Sequence, residues 1–175
     1  VLWWERARDL SVALDNLLID PVFARRIDRA RVGAAGFSLG GYTVLALAGA
    51  RVDIDQMRAW CAARSDDAAC NLPPEAPFTL PEIERLVEST ANLRQSLARH
   101  GASYADPRVR AFYAIAPAVG PSLLRSSLAA IRSPTRIVVG SGDSLAAPAS
   151  NAVPIAVAIP NAQLRIMPDV AHYTF

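Results

Sequence analysis

Two apolar runs separated by a single serine set the first constraint on this chain. Residues 31–37 (RVGAAGF) have the length and composition of a buried strand, with charge on their upstream side. Residues 39–50 (LGGYTVLALAGA) are long and apolar enough for a buried helix. A strand that turns into a helix through one residue begins a βα unit, and repeated βα units build a parallel sheet covered by helices.

The rest of the pattern agrees with that architecture. Leu10, Leu14, Leu17 and Leu18 recur at helical spacing within 5–20, opposite arginines and acids, and Pro21 ends the run. Further strands are expected at 109–117, 135–139 and 163–167, with helices at 121–131 and 148–159. The stretch 51–107 is different. Charged and proline-rich sequence (NLPPEAPFTLPEIE) separates two helical patterns, 53–64 and 81–99, which reads as an excursion from the sheet within one domain spanning 1–175.

Composition excludes several classes. Charged residues make up 19% of the chain and apolar residues 52%, which describes a packed domain and not a disordered one. The sequence has no lysine, so its net charge of +2 comes from arginines, and these are scattered along the chain. No basic stripe marks a nucleic-acid partner. No apolar run reaches the roughly 18 residues of a membrane-spanning helix.

Cys61 and Cys70 leave two alternatives. On one unbroken helix their Cα atoms would lie roughly 13 Å apart, whereas a disulfide tolerates at most about 7 Å. A bridge therefore requires the helix to break near Ser65-Asp66-Asp67, and it would favour a periplasmic or secreted protein. Otherwise the two are separate buried thiols, and a cytoplasmic location fits as well. Without a clustered histidine they make no zinc set, and the reading calls for no cofactor and no metal.

The serine between the two runs lies in Gly36-Phe37-Ser38-Leu39-Gly40. This Gly-x-Ser-x-Gly spacing arises by chance in roughly one chain of this length in twenty, so its setting matters more than its letters. A strand–turn–helix setting is what a nucleophile elbow needs. The serine adopts a strained backbone conformation there, and Gly36 and Gly40 are expected to remove side chains that would collide across the turn. The first helical N–H, that of Leu39, then faces a developing oxyanion. The alternative is a serine that merely caps a glycine-rich helix.

A serine hydroxyl needs a base. Of the two histidines, His100 closes a polar helical pattern before Gly101 and reads as a helix C-terminal residue. His172 follows the last expected strand, in a loop at the sheet's carboxyl edge, and is the candidate base. The base in turn needs a carboxylate to hold its tautomer. Asp143 ends the strand RIVVGSG and is the choice; Asp169, in the loop of His172 itself, is the competitor. The order Ser38, Asp143, His172 is that of α/β-hydrolases.

The segment RIDRARVGAAGFSLGGYTVLALAG, with VVGSGDSLAAPASNA through IPNAQLRIMPDVAHYTF, resembles the predicted dienelactone hydrolase family. That family is related to the platelet-activating-factor acetylhydrolases within the α/β-hydrolase superfamily. The resemblance runs from the first helix to Phe175 and is weakest over 51–107. It implies an α/β-hydrolase fold, a mostly parallel sheet flanked by helices, of which this chain carries the C-terminal part. It also implies a lid-like role for 51–107, with Ser38 as nucleophile, Asp143 as acid and His172 as base. Two departures stand out. True dienelactone hydrolases use a cysteine nucleophile, which argues against a dienelactone substrate. The family's early strands, with the loop that supplies a second oxyanion N–H, precede Val1.

The expected activity is hydrolysis of a small carboxylic ester through an acyl-enzyme, without a metal. The same triad could cleave amides or transfer acyl groups. A reading of another class is a catalytically silent hydrolase fold used for binding, which would show His172 far from Ser38. An uncovered sheet edge would also allow pairing with a second copy.

Overall fold

The computed structural model describes residues 2–72 and 76–175; Pro73, Pro74 and Glu75 of the proline-rich stretch lie outside the described residues. Helix α1 (Arg6–Ile19) leads to strand β1 (Val32–Phe37) and helix α2 (Leu39–Ala48). Three helices follow before the sheet resumes: α3 (Ile54–Ala63), α4 (Leu80–Ser89) and α5 (Ala91–Leu97). Then come β2 (Val109–Ile115), α6 (Arg125–Ala130), β3 (Thr135–Gly140), α7 (Ala152–Ala158) and β4 (Ala162–Met167). The four strands form one sheet in the order β1-β2-β3-β4, and every pairing is parallel.

The alternation along the strands shows where the core lies. Phe112 and Ala114 of β2 and Ile137 and Val139 of β3 are buried together with the apolar face of α2 and with Ile155 of α7. The opposite sheet face carries Gly33, Ala35, Ala111, Tyr113, Arg136, Gln163 and Arg165, all exposed. Helix α2 is apolar nearly all round, and its run from Gly41 to Leu47 is buried, as expected for a helix inside a core. Among the described residues no helix is long and apolar enough to cross a membrane.

Several expected elements are shorter than the apolar pattern suggests. The helical pattern at 81–99 breaks at Thr90, whose extended backbone (φ −118°, ψ 110°) ends α4 and begins α5. The helix expected at 121–131 is a 3-10 turn, Gly120–Ser122, followed by α6, and the one expected at 148–159 starts only at Ala152. A capping box opens α4: the Glu82 carboxylate accepts from both the N–H (2.7 Å) and the hydroxyl (2.8 Å) of Thr79.

Helix α1 is fastened to the sheet by one buried carboxylate. Asp106, just before β2, accepts from Ser11 Oγ of α1 (2.9 Å) and from Arg108 through Nε (2.9 Å) and Nη2 (2.6 Å), while its own N–H donates to Leu47 O at the end of α2 (3.0 Å). Arg108 also pairs with Asp15. The Arg108 guanidinium is the main cause that holds the Asp106 carboxyl down, from its ordinary 3.8 to about 2. A depressed carboxylate pKa stabilises the fold fully above the unfolded value, and that contribution fades as the pH falls from about 4 to about 2. Asp106→Asn is therefore expected to cost about 2 kcal/mol at neutral pH. In urea melts the gap between variant and parent should close by about pH 2.

Candidate active site

The three parallel strands β1, β3 and β4 end at the same edge of the sheet, and each is followed by one of the candidate residues. Crevices at the carboxyl ends of parallel strands are where such sheets bind ligands.

Ser38 occupies the single position between β1 and α2. Its φ of 55° with ψ of −117° is a conformation that residues with a Cβ rarely adopt. Three hydrogen bonds hold it there: Ser38 N–H donates to Ile115 O (2.8 Å), and Ser38 O accepts from the N–H groups of Tyr42 and Ala118 (3.2 Å each). The turn is tight enough that a Cβ on Gly36 would lie 2.2 Å from Gly40 O, and one on Gly41 would lie 2.9 Å from Pro117 Cα. The expectation that Gly40 is needed for the same reason is corrected: a Cβ there would meet nothing within 4 Å. Gly36 allows close approach to the Gly40 backbone, and Gly41 allows close approach of α2 to Ile115 and Pro117. Leu39 is the first residue of α2, so its N–H has no acceptor within the helix.

His172 is buried at the start of a short 3-10 turn after β4. Its Nε2 lies 2.9 Å from Ser38 Oγ, and its Nδ1 lies 2.7 Å from Asp143 Oδ2. The second Asp143 oxygen accepts from the N–H groups of Leu145 (3.0 Å) and Ala146 (2.7 Å), so both carboxylate oxygens are engaged. The Phe37 ring packs against the imidazole with centroids 4.8 Å apart. The structure thus brings Ser38, His172 and Asp143 into one hydrogen-bonded row.

The competitors lie elsewhere. Asp169 is exposed, sits at φ 58°, and donates its N–H to Ser141 Oγ (2.9 Å). His100 follows α5, its Nδ1 2.7 Å from Leu97 O. Tyr42, Ala114, Ala116 and Pro117 are buried beside this edge, and Tyr42 packs edge-on against Trp3. Burial pushes the Tyr42 hydroxyl pKa up.

Residues that set His172 in place were not singled out from the sequence. The N–H groups of Ser141 and Gly142 donate to Met167 O (2.8 Å) and Val170 O (3.1 Å), fastening the loop of His172 to the end of β3. A Cβ on Gly140 would fall 1.9 Å from Val170 O. The signal was present in VVGSGD, where two glycines follow a strand more closely than a turn requires.

A parallel sheet flanked by helices, whose first strand turns through a strained serine into a buried helix, with an aspartate and a histidine after two later strands, has the arrangement expected of an α/β-hydrolase fold. No protein-family model matches the sequence, and a comparison with curated proteins finds no match. Solved structures similar to the chain include a hydrolase from Pseudomonas aeruginosa PA01, with 23% identity and a TM-score of 0.45. An N-acyl homoserine lactone degrading enzyme is similar at 21% identity and a TM-score of 0.47. The matches cover 95% and 97% of this chain, but only 63% and 68% of those proteins. Neither likeness bears on the chemistry of this chain.

Gly140→Ala is expected to displace the 168–172 loop, because the neighbouring carbonyl belongs to backbone that cannot rotate away. The cost should be about 1–3 kcal/mol of stability, read from thermal melts. Tryptic cleavage at Arg165, on β4, should accelerate with it.

Proposed function

We propose that this chain carries the nucleophile, base and acid of a serine hydrolase that cleaves small carboxylic esters through an acyl-enzyme. The observation that carries the reading is the continuous row from Ser38 Oγ through the His172 ring to Asp143, with contacts of 2.9 and 2.7 Å. In this reading His172 Nε2 takes the Ser38 proton as Oγ attacks the ester carbonyl. Asp143 holds the proton on Nδ1 and stabilises the imidazolium. The Leu39 N–H, at the positive end of α2, donates to the oxyanion. The tetrahedral intermediate then expels the alcohol, which leaves with the proton from His172. Water enters, gives its proton to His172 and releases the acid. Ser38 is restored without metal or cofactor.

Segment 51–107 serves in this reading as part of a lid, and the disulfide within it suits a periplasmic or secreted protein. Amide cleavage and acyl transfer use the same groups, and the substrate offered decides among them. A His172 far from Ser38 would have favoured the binding-only alternative, and the 2.9 Å contact argues against it. Among the described residues β1 and β4 are the edge strands of the sheet, and pairing of two copies through such an edge is the dimer this reading allows.

A fluorophosphonate probe is expected to form one adduct, mapped by peptide mass spectrometry to Ser38. Ser38→Ala should abolish it, and His172→Ala should slow labelling by at least about a thousandfold. A label that persists at the same rate in Ser38→Ala would sink the assignment.

A further inference from the structure

One segment touches both loops that frame the Ser38 row, and it is closed by a disulfide. Helix α3 ends at Ala63, the chain turns through 64–67, and a 3-10 turn (Ala68–Cys70) brings Cys70 back to Cys61, with Cα atoms 5.5 Å apart. The helix break that a bridge requires thus falls where the serine and aspartates stand.

The segment reaches the loop after β2 through α3. Gln56 Nε2 donates to the carbonyls of Pro121 (2.7 Å) and Leu123 (3.1 Å). It reaches the loop after β3 through the closed turn. Asp67 Oδ1 accepts from its own Ala69 N–H (2.9 Å) and from Ser150 Oγ (3.2 Å), while Oδ2 accepts from Trp60 Nε1 (3.2 Å). One half-buried carboxylate therefore joins α3, the 3-10 turn and the far loop.

Ser150 and its neighbour Asn151 are 5% and 1% exposed. Their N–H groups donate to Ala147 O (3.2 and 3.0 Å), and Asn151 Nδ2 donates to Ser150 Oγ (3.3 Å). Asn151 Oδ1 accepts from Gly120 N–H (2.8 Å), tying this loop to the one whose Ala118 N–H holds Ser38 O. Upstream of Ala147 stand Leu145 and Ala146, whose N–H groups grip Asp143.

We propose that the disulfide-closed segment 54–70 is a brace that keeps Asp143 in line with His172. Asp67 and Ser150 are its positioning residues, and reduction of Cys61–Cys70 relaxes it reversibly. The inference rests on the triad reading above. A dithiol supplies two electrons and two protons: the S–S bond breaks, Cys61 and Cys70 become thiols, and the dithiol closes into its own disulfide. The 3-10 turn is then held by its own short-range bonds and by the Asp67 contacts with Trp60 and Ser150, a weak hold for so short an element. Asp67 leaves Ser150, and the acid loop loses its outer support.

The test is fluorophosphonate labelling of the intact protein, resolved into kinact and KI, beside amide hydrogen exchange at Leu145 and Ala146. Asp67→Ala and Ser150→Ala should each lower kinact about tenfold with KI unchanged, since small misplacements of a catalytic group act on the chemical step. The double variant should be no slower than either single one. Dithiothreitol should slow the parent by the same factor, as should Cys61→Ser/Cys70→Ser, and reoxidation of the parent should restore it. Reductant should leave Asp67→Ala unchanged. Exchange at Leu145 and Ala146 should quicken in every one of these states. The proposal is overturned if the folded variants and the reduced protein keep kinact within about twofold of the parent. If the parent takes no label at Ser38, the triad reading fails and exchange alone decides the brace. Quickened exchange in Asp67→Ala and in the reduced protein supports it, and unchanged exchange overturns it.

Discussion

The backbone of Ser38 is the point on which the rest of the site depends. A residue at φ 55° that carries a Cβ is held against its own preference, and the cost is met by hydrogen bonds that reach three elements. Ile115 at the end of β2, Tyr42 in α2 and Ala118 in the following loop each bind the Ser38 backbone. The strain therefore lies at the junction of sheet and helix, where both are most fully packed. It aims Oγ out of the turn and leaves the first N–H of α2 beside it.

The same junction explains why the sheet could be read from the sequence. Each strand is a short apolar run bounded by charge or a turn, and the four expected strands lie within two residues of where they form. The row of Ser38, Asp143 and His172 was legible because each follows a strand end, and parallel pairing brings all such ends to one edge. Asp143 was separable from Asp169 because the latter would have to fold back on its own loop, and it turns away to Ser141 instead.

What stayed hidden depends on contacts between segments distant in sequence. Gly36 and Gly40 look equivalent in the pentapeptide, yet only one faces backbone across the turn. Thr90 interrupts a helical pattern that periodicity alone carries through, because an extended residue costs little where no core presses on it. Asp67 and Ser150 are partners 83 positions apart. Their local sequences suggest a turn and a helix start, with nothing to link them. Cys61 and Cys70 were ambiguous for a related reason: spacing fixes whether a bridge is possible, and the intervening turn decides whether it forms.

Ser38 and His172 stand 134 positions apart and on opposite sides of the strand order, one after the first strand and the other after the last. In the proposed reading the hydroxyl meets its base only when both ends of this strand order are in place. β4 pairs with its near neighbour β3, whereas β1 reaches β2 across the whole 51–107 excursion. That pairing closes the longest loop between adjacent strands, and its loop entropy must be met before the contacts repay it. A chain in which β1 has not joined β2 would, on that reading, carry an inert serine.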